Sequence, residues 1–332
     1  GTGDISFDEA VGGTESLNNI ILDSTGAITF IKAVTAGSLR SEGTGTVTIN
    51  GGSIDTAGGD QSFGGDITLG ADTTLTAANL TAQGIALADN NLTLALTGSS
   101  SEVAGQITET ASAASTLTQQ GSGTLTLSGN NTYTGATTIA GGTMILSNDN
   151  VTGMTASASF GGAGELRIQP ASADFSSALT TSSFTFNELQ NGLVLGQDGK
   201  AATIKIDGTP NSAPNSALTL DNSLTVYAGD LDIDGALTVN TATSGPAHDL
   251  DLHVRTSADQ TAAIDADTLA LHGIGDFTLD HGSNSVGTLA GGSAAAKLGS
   301  LTFVNSGALT IGAVNPTGIT ASGEVDISTK TG

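Results

Sequence analysis

Four short segments recur at nearly even steps: Asp4-Ile-Ser-Phe7, Ala27-Ile-Thr-Phe30, Thr46-Val-Thr-Ile49 and Asp66-Ile-Thr-Leu69. Their first apolar residues stand at positions 5, 28, 47 and 67, so the steps are 23, 19 and 20. Alternation with period two sends Ile5/Phe7, Ile28/Phe30, Val47/Ile49 and Ile67/Leu69 to one face and Ser or Thr to the other. A unit of this length cannot bury such a face alone and must stack on copies of itself. This periodicity excludes most other architectures.

The pattern continues along the chain. Leu92-Thr-Leu-Ala-Leu96, Leu166-Arg-Ile168, Ile204-Lys-Ile206, Leu237-Thr-Val239, Leu250-Asp-Leu-His-Val254, Leu301-Thr-Phe303 and Val325-Asp-Ile327 all alternate. Gly, Asn, Asp and Ser fill the intervals, as turns require. The expected fold is all-β, a right-handed parallel β-helix with about 20 residues per coil. Residues 1–332 are expected to form a single continuous β-helical segment of sixteen or seventeen coils. At about 4.8 Å per coil this makes a rod of roughly 80 Å. Ala111–Gln120, Ser157–Gly164 and Thr209–Ser216 read as loops. Ser257-Ala-Asp-Gln260 has the spacing of a capping box ahead of Thr261–Leu271. Thr268-Leu-Ala-Leu271 nevertheless alternates and Gly273 interrupts, which favours a strand.

Composition agrees. Aromatics are 3% of residues and Trp and Cys are absent, so a core must be thin and aliphatic. Apolar residues are 37% and mean hydropathy is +0.11, too high for a disordered Gly/Ser/Thr-rich chain. The net charge of −24 opposes binding to nucleic acid or anionic membranes. No apolar run approaches the length of a membrane-spanning helix. The chain begins and stops within its pattern and is read as a piece of a longer protein, with any signal peptide outside it.

Gly123–Leu146, with Thr124-Leu-Thr-Leu-Ser-Gly-Asn-Asn-Thr-Tyr-Thr-Gly-Ala-Thr-Thr-Ile139 and the Gly141-Gly142 corner, resembles the autotransporter-associated β-strand repeat. Looser stretches such as Asn284–Ile311 resemble repeats of filamentous-haemagglutinin-like exoproteins. The resemblance implies a secreted β-helical segment of a bacterial adhesin or surface fibre, exported by a type V-like or other route and lying outside the cell. The expected role is a non-catalytic stalk or filament. Its partners would be copies of itself or neighbouring repeats, packed end to end or side by side. The alternative is an adhesin whose lateral face binds a glycan or protein of a cell surface.

Few residues offer chemistry. In Gly229–Asp234, Asp230, Asp232 and Asp234 face outward; in His248–Arg255, Asp249, Asp251, His253 and Arg255 do. The spacing of Asp230 to Asp249, repeated from Asp232 to Asp251, is close to one coil. Stacked carboxylates repel unless a cation lies between them, so these four are the candidate calcium ligands, and calcium is the only cofactor expected. The plainer alternatives are that the register differs, so that these carboxylates do not stack, or that solvent and Arg255 screen the charges. The histidines are His248, His253, His272 and His281, and only His253 has close acidic neighbours; a solvated surface role is the plainer reading. A sugar-cleaving β-helix enzyme needs paired carboxylates in an aromatic groove, which two Tyr and no Trp make hard to assemble. Thr-rich faces such as Thr124-Leu-Thr126 and Thr132-Tyr-Thr134 suggest an ice-binding array, but ordinary β-propensity explains them as well. Asn79, Asn91, Asn130 and Asn150 begin Asn-x-Thr triplets and read as turn residues rather than glycosylation sites.

Overall fold

The computed structural model describes residues 1–13, 15–110, 114–154, 159–189, 191–208, 217–239, 249–312 and 315–330. The fold is an all-β parallel solenoid with about 22 residues per turn. Among the described residues there is no α-helix, only the 3-10 turns Val151–Met154 and Thr181–Ser183. The chain divides into two compact units, Gly1–Leu166 and Arg167–Gly332.

In the first unit each coil contributes to three parallel ladders. One joins Ile5–Phe7, Ile28–Phe30, Val47–Ile49, Ile67–Leu69, Ile85–Ala86 and Ile107–Thr108. The four segments that set the period therefore stack in register, Ile5 on Ile28 on Val47 on Ile67. A second runs from Val34–Thr35 through Thr73–Ala77, Leu92–Leu96 and Leu117–Gln120 to Phe160–Gly162. A third runs from Ile20–Leu22 through Leu39–Ser41, Gln61–Phe63, Leu80–Ala82, Ser101–Val103 and Thr124–Leu127 to Thr143–Ser147. Inward positions such as Ile28, Val47, Ile67, Leu94 and Leu125 are completely buried. Each forms one layer of an aliphatic stack, and stability accrues coil by coil.

The third ladder contains strands without a hydrophobic signature. Gln61 and Ser101 occupy inward positions and are 1% exposed. The Gln61 Nε2 donates to the Ile54 and Thr76 carbonyls, and the Leu80 N–H donates to the Ser101 Oγ. Polar groups enter this core because backbone groups of their own and adjacent turns take up part of their hydrogen bonding, the Gln61 Oε1 remaining buried without a partner. Leu117–Gln120 and Phe160–Gly162, read from sequence as loop, are also strands; bare alternation over so few residues does not separate the two. Of the expected loops, residues 111–113, 157–158 and 209–216 lie outside the described residues. In Thr132-Tyr-Thr134 the two threonines are exposed and Tyr133 between them points inward, 2% exposed.

The second unit is built from longer strands, chiefly Leu224–Ile233, Asp249–Gln260 and Ile264–Gly273. Ser257–Gln260 and Thr261–Leu271 thus belong to strands and turns, and the capping-box spacing is incidental. Leu224–Ile233 passes from one face to the next through an irregularity between Ala228 and Asp230 rather than through a loop. Leu224, Leu250 and Leu269 stack in its core, all fully buried. Turns here are uneven. Leu193 pairs with Leu224, Leu224 with Leu250 and Leu250 with Leu269, so the step falls from 31 to 26 to 19. The chain consequently makes about 13 turns, fewer than the sixteen or seventeen expected from a uniform period.

Candidate functional site

The uneven turns decide which side chains meet. Asp230 lies beside Thr203 and Ser257, and Asp232 beside Lys205 and Asp259. Asp249 pairs with Thr268, and Asp251 with Thr225 and Ala270. The two carboxylate pairs expected to stack, Asp230 on Asp249 and Asp232 on Asp251, are therefore not formed. The turn from Leu224–Ile233 to Asp249–Gln260 carries Asp230 on to Ser257, well past Asp249, so the shorter step read from sequence lands on the wrong residue. The Asp230 and Asp249 carboxylates instead accept hydrogen bonds from the Ser257 and Thr268 hydroxyls. Asp232 does stack on a carboxylate, that of Asp259. Burial raises its pKa first and Asp234 adds to this, while Lys205, ion-paired to Asp234, works against the rise. Among the described residues no group of three or more His, Cys, Asp or Glu is placed so that it could hold a metal ion.

A different cluster is assembled one rung before the corner of the second unit. Gly196, Tyr227, His253 and His272 are successive register partners on an outward column. The Tyr227 and His253 rings stand 4.4 Å apart, and those of His253 and His272 lie 4.2 Å apart and 5° from parallel. Period-two alternation turns these side chains out while Val226, Leu252 and Leu271, beside them, are fully buried.

Corner length explains why the column lies in a depression. Thr203 follows Gly196 by seven positions, but their partners Asp230 and Tyr227 are only three apart. At the other end Leu271 and Phe277 are six apart, whereas their partners Gly291 and Leu301 are ten apart. Each flanking turn thus carries four more residues at this corner than the turn it packs on, and the three turns between stay short, with a single residue added after Val254. The longer additions form the two walls, around Gln197–Lys200 and Gly292–Ala296, of a cleft of about 520 Å3 floored by the three rings. The cleft also presents Asp198, Lys200, Arg255 and Ile274, the last 66% exposed.

Electrostatics keep the floor uncharged. Burial lowers the His253 pKa, His272 adds to the lowering and Asp198 opposes it, leaving a value of about 4. Burial also lowers that of His272. Both imidazoles are neutral at pH 7. Asp251, whose carboxylate is 4.0 Å from His272 Nε2, has its pKa raised by burial and by Asp249. A smaller adjoining depression holds Asp249, Asp251, Thr268 and the two histidines. His281 stands apart, its Nδ1 accepting from the Ser283 N–H, and His248 lies outside the described residues. From sequence the ring-lined groove looked hard to build with two tyrosines and no tryptophan. Stacked histidines supply the missing rings. The signal was present in the one-coil spacing of His253 and His272, but two unequal loops had to be placed first.

The Asn-x-Thr asparagines act as turn residues. Asn79 and Asn91 accept backbone N–H groups from Ser100 and Thr116 one turn on, and Asn150 accepts that of Thr152. Asn130 accepts from the Asn148 amide.

Parallel ladders of short strands, stacked turn on turn around an aliphatic core, define a parallel β-solenoid. Residues 117–155 match the model of the passenger-associated-transport-repeat, so the chain carries that repeat. The match includes the Gly123–Leu146 segment, whose Thr124–Leu127 and Thr143–Ser147 strands pair in register. Such a repeat marks a secreted or surface protein. No curated protein and no solved structure matches the chain. Among the described residues no helix is long and apolar enough to cross a membrane.

Proposed function

We propose that the chain is a non-catalytic shaft segment of a large bacterial surface protein, extending it away from the cell or packing with like copies as a filament. The observation that carries this reading is the coil-on-coil register of the parallel ladders, with a buried aliphatic layer in successive turns. Such a stack resists bending, because tilting one coil breaks ladder hydrogen bonds and opens the core together. Its −24 charge keeps a long surface soluble.

The test is electron microscopy of the native full-length protein on cells and after release. Rods anchored at one end, or ordered fibres with a repeating protomer, are expected. Compact particles without an elongated part would overturn the reading. A second reading, lateral adhesion, is favoured by one observation only: the ring-floored cleft of the second unit.

A further inference from the structure

We propose that the Tyr227–His253–His272 cleft is a binding site for a short, uncharged saccharide, taken from the side of the solenoid. The inference goes beyond the shaft reading and does not depend on it. Three independent features meet in one place. The floor is a stack of three rings at 4.4 and 4.2 Å spacing, His253 lying between Tyr227 and His272. Rings stacked in this way cover one another's faces and leave their edges, with the imidazole nitrogens, to meet the hydroxyls of a sugar.

The walls are built rather than incidental. Four extra residues on each flanking turn raise Gln197–Lys200 and Gly292–Ala296 around the stack, while the three turns between are short. The enclosed volume of about 520 Å3 falls within the usual range of small-ligand sites, about 300–1,000 Å3.

The polar groups match hydroxyls. Asp198 accepts, Arg255 donates, a neutral imidazole does both, and Lys200, whose Nζ donates to the Ser172 carbonyl, stands at the wall. Opposite charges in one cleft suit a ligand that offers donors and acceptors but no charge of its own. Polyanionic sugars are disfavoured further by the −24 field of the chain. A simple hydrophobic or peptide groove would not require two half-buried histidines and three charged groups within the same small space.

The test is titration of the whole chain with neutral oligosaccharides of four to six hexose or N-acetylhexosamine units, in a panel covering α and β linkages, with uronate oligomers as the anionic arm. Calorimetry gives affinity, and the ring signals of Tyr227, His253 and His272 in nuclear magnetic resonance give location. At least one neutral member should bind and shift these three rings. Tyr227→Ala and His272→Ala should each weaken it tenfold or more, while Tyr227→Phe, which keeps the stack, should stay within about threefold. Circular dichroism checks that each variant is folded; if an alanine variant unfolds, the ring shifts and the Tyr227→Phe result still decide. No binding by any neutral member, tighter binding of the uronates, or binding that leaves the three rings unshifted would overturn the proposal, as would loss of binding in a folded Tyr227→Phe variant.

Discussion

The imidazoles of His253 and His272, one turn of the solenoid apart, lie face to face with their centroids 4.2 Å apart and their planes 5° from parallel. Two imidazolium ions would repel at this distance, so the stack is a device that works only when neutral. Tyr227 on one side of His253, Asp198, Lys200 and Arg255 around the cleft, and Asp249 and Asp251 in the adjoining depression are the other ionisable groups near the pair.

Stability should therefore fall on acidification in a defined window. The folded His253 pKa of about 4 lies below the unfolded value of 6.5. Between these values the unfolded chain binds more protons, so stability rises with pH across the window and is lost as pH falls from about 6.5 to 4. Below about 4 both states hold the proton and the contribution is constant. Denaturant midpoints at pH 7, 5.5 and 4 check this, with His253→Gln flattening the slope. A steeper wild-type curve that His253→Gln leaves unchanged would mean that other groups carry the effect.

Tyr133 should titrate far above free tyrosine. It is wholly buried within the matched repeat, its hydroxyl is 2.7 Å from Thr137 Oγ1, and burial raises its pKa to about 12. Ultraviolet difference spectra of the parent and of Tyr133→Phe should assign a tyrosine ionisation near pH 12 to Tyr133. Tyr133→Phe should cost about 0.5–1.5 kcal/mol, the net value of a hydrogen bond, and Tyr133→Ala about 3–5 kcal/mol.

Gly273 should not tolerate a side chain. Its φ is +94°, and a Cβ would stand 2.0 Å from the Val254 carbonyl oxygen of the previous turn. Gly273→Ala should cost at least about 1–2 kcal/mol from backbone strain alone. It should also displace the neighbouring His272, visible as a change in that ring's resonances. A thermal melt indistinguishable from the parent would contradict this.

Asn284 should be among the least replaceable polar residues. It is fully buried; its Oδ1 accepts from the Ile264 N–H, and its Nδ2 donates to the Leu279 and Val304 carbonyls. Asn284→Leu strands these three backbone groups, each worth about 1–3 kcal/mol when left unpaired. Hydrogen exchange should then quicken at Ile264 before it quickens in more distant turns, as expected when repeats lean only on neighbours.

Much of the fold could be read directly. Ile28-Thr-Phe30 over Val47-Thr-Ile49 over Ile67-Thr-Leu69 is an alternation whose only consistent burial is by stacking, and the structure pairs these residues in that order. The strands Gln61–Phe63 and Ser101–Val103 escaped notice because each starts with an inward polar residue, which backbone groups of its own and adjacent turns hold.

The sequence by itself determined the class: period-two faces, glycine and asparagine corners, an aliphatic core and the repeat in Gly123–Leu146. Which residues become neighbours was decided only by tertiary structure. In a parallel stack a side chain meets whatever lies one turn away, and turn length is the sum of strands and loops. Here the turns run from as short as Ile67 to Ile85 to as long as Leu193 to Leu224. Loop length carries no periodic signal, so Asp230 and Asp249 were aligned by a near-uniform step that the chain does not take there. Between His253 and His272 it does take that step, and the four extra residues on each side turn their stacked rings into the floor of a cleft.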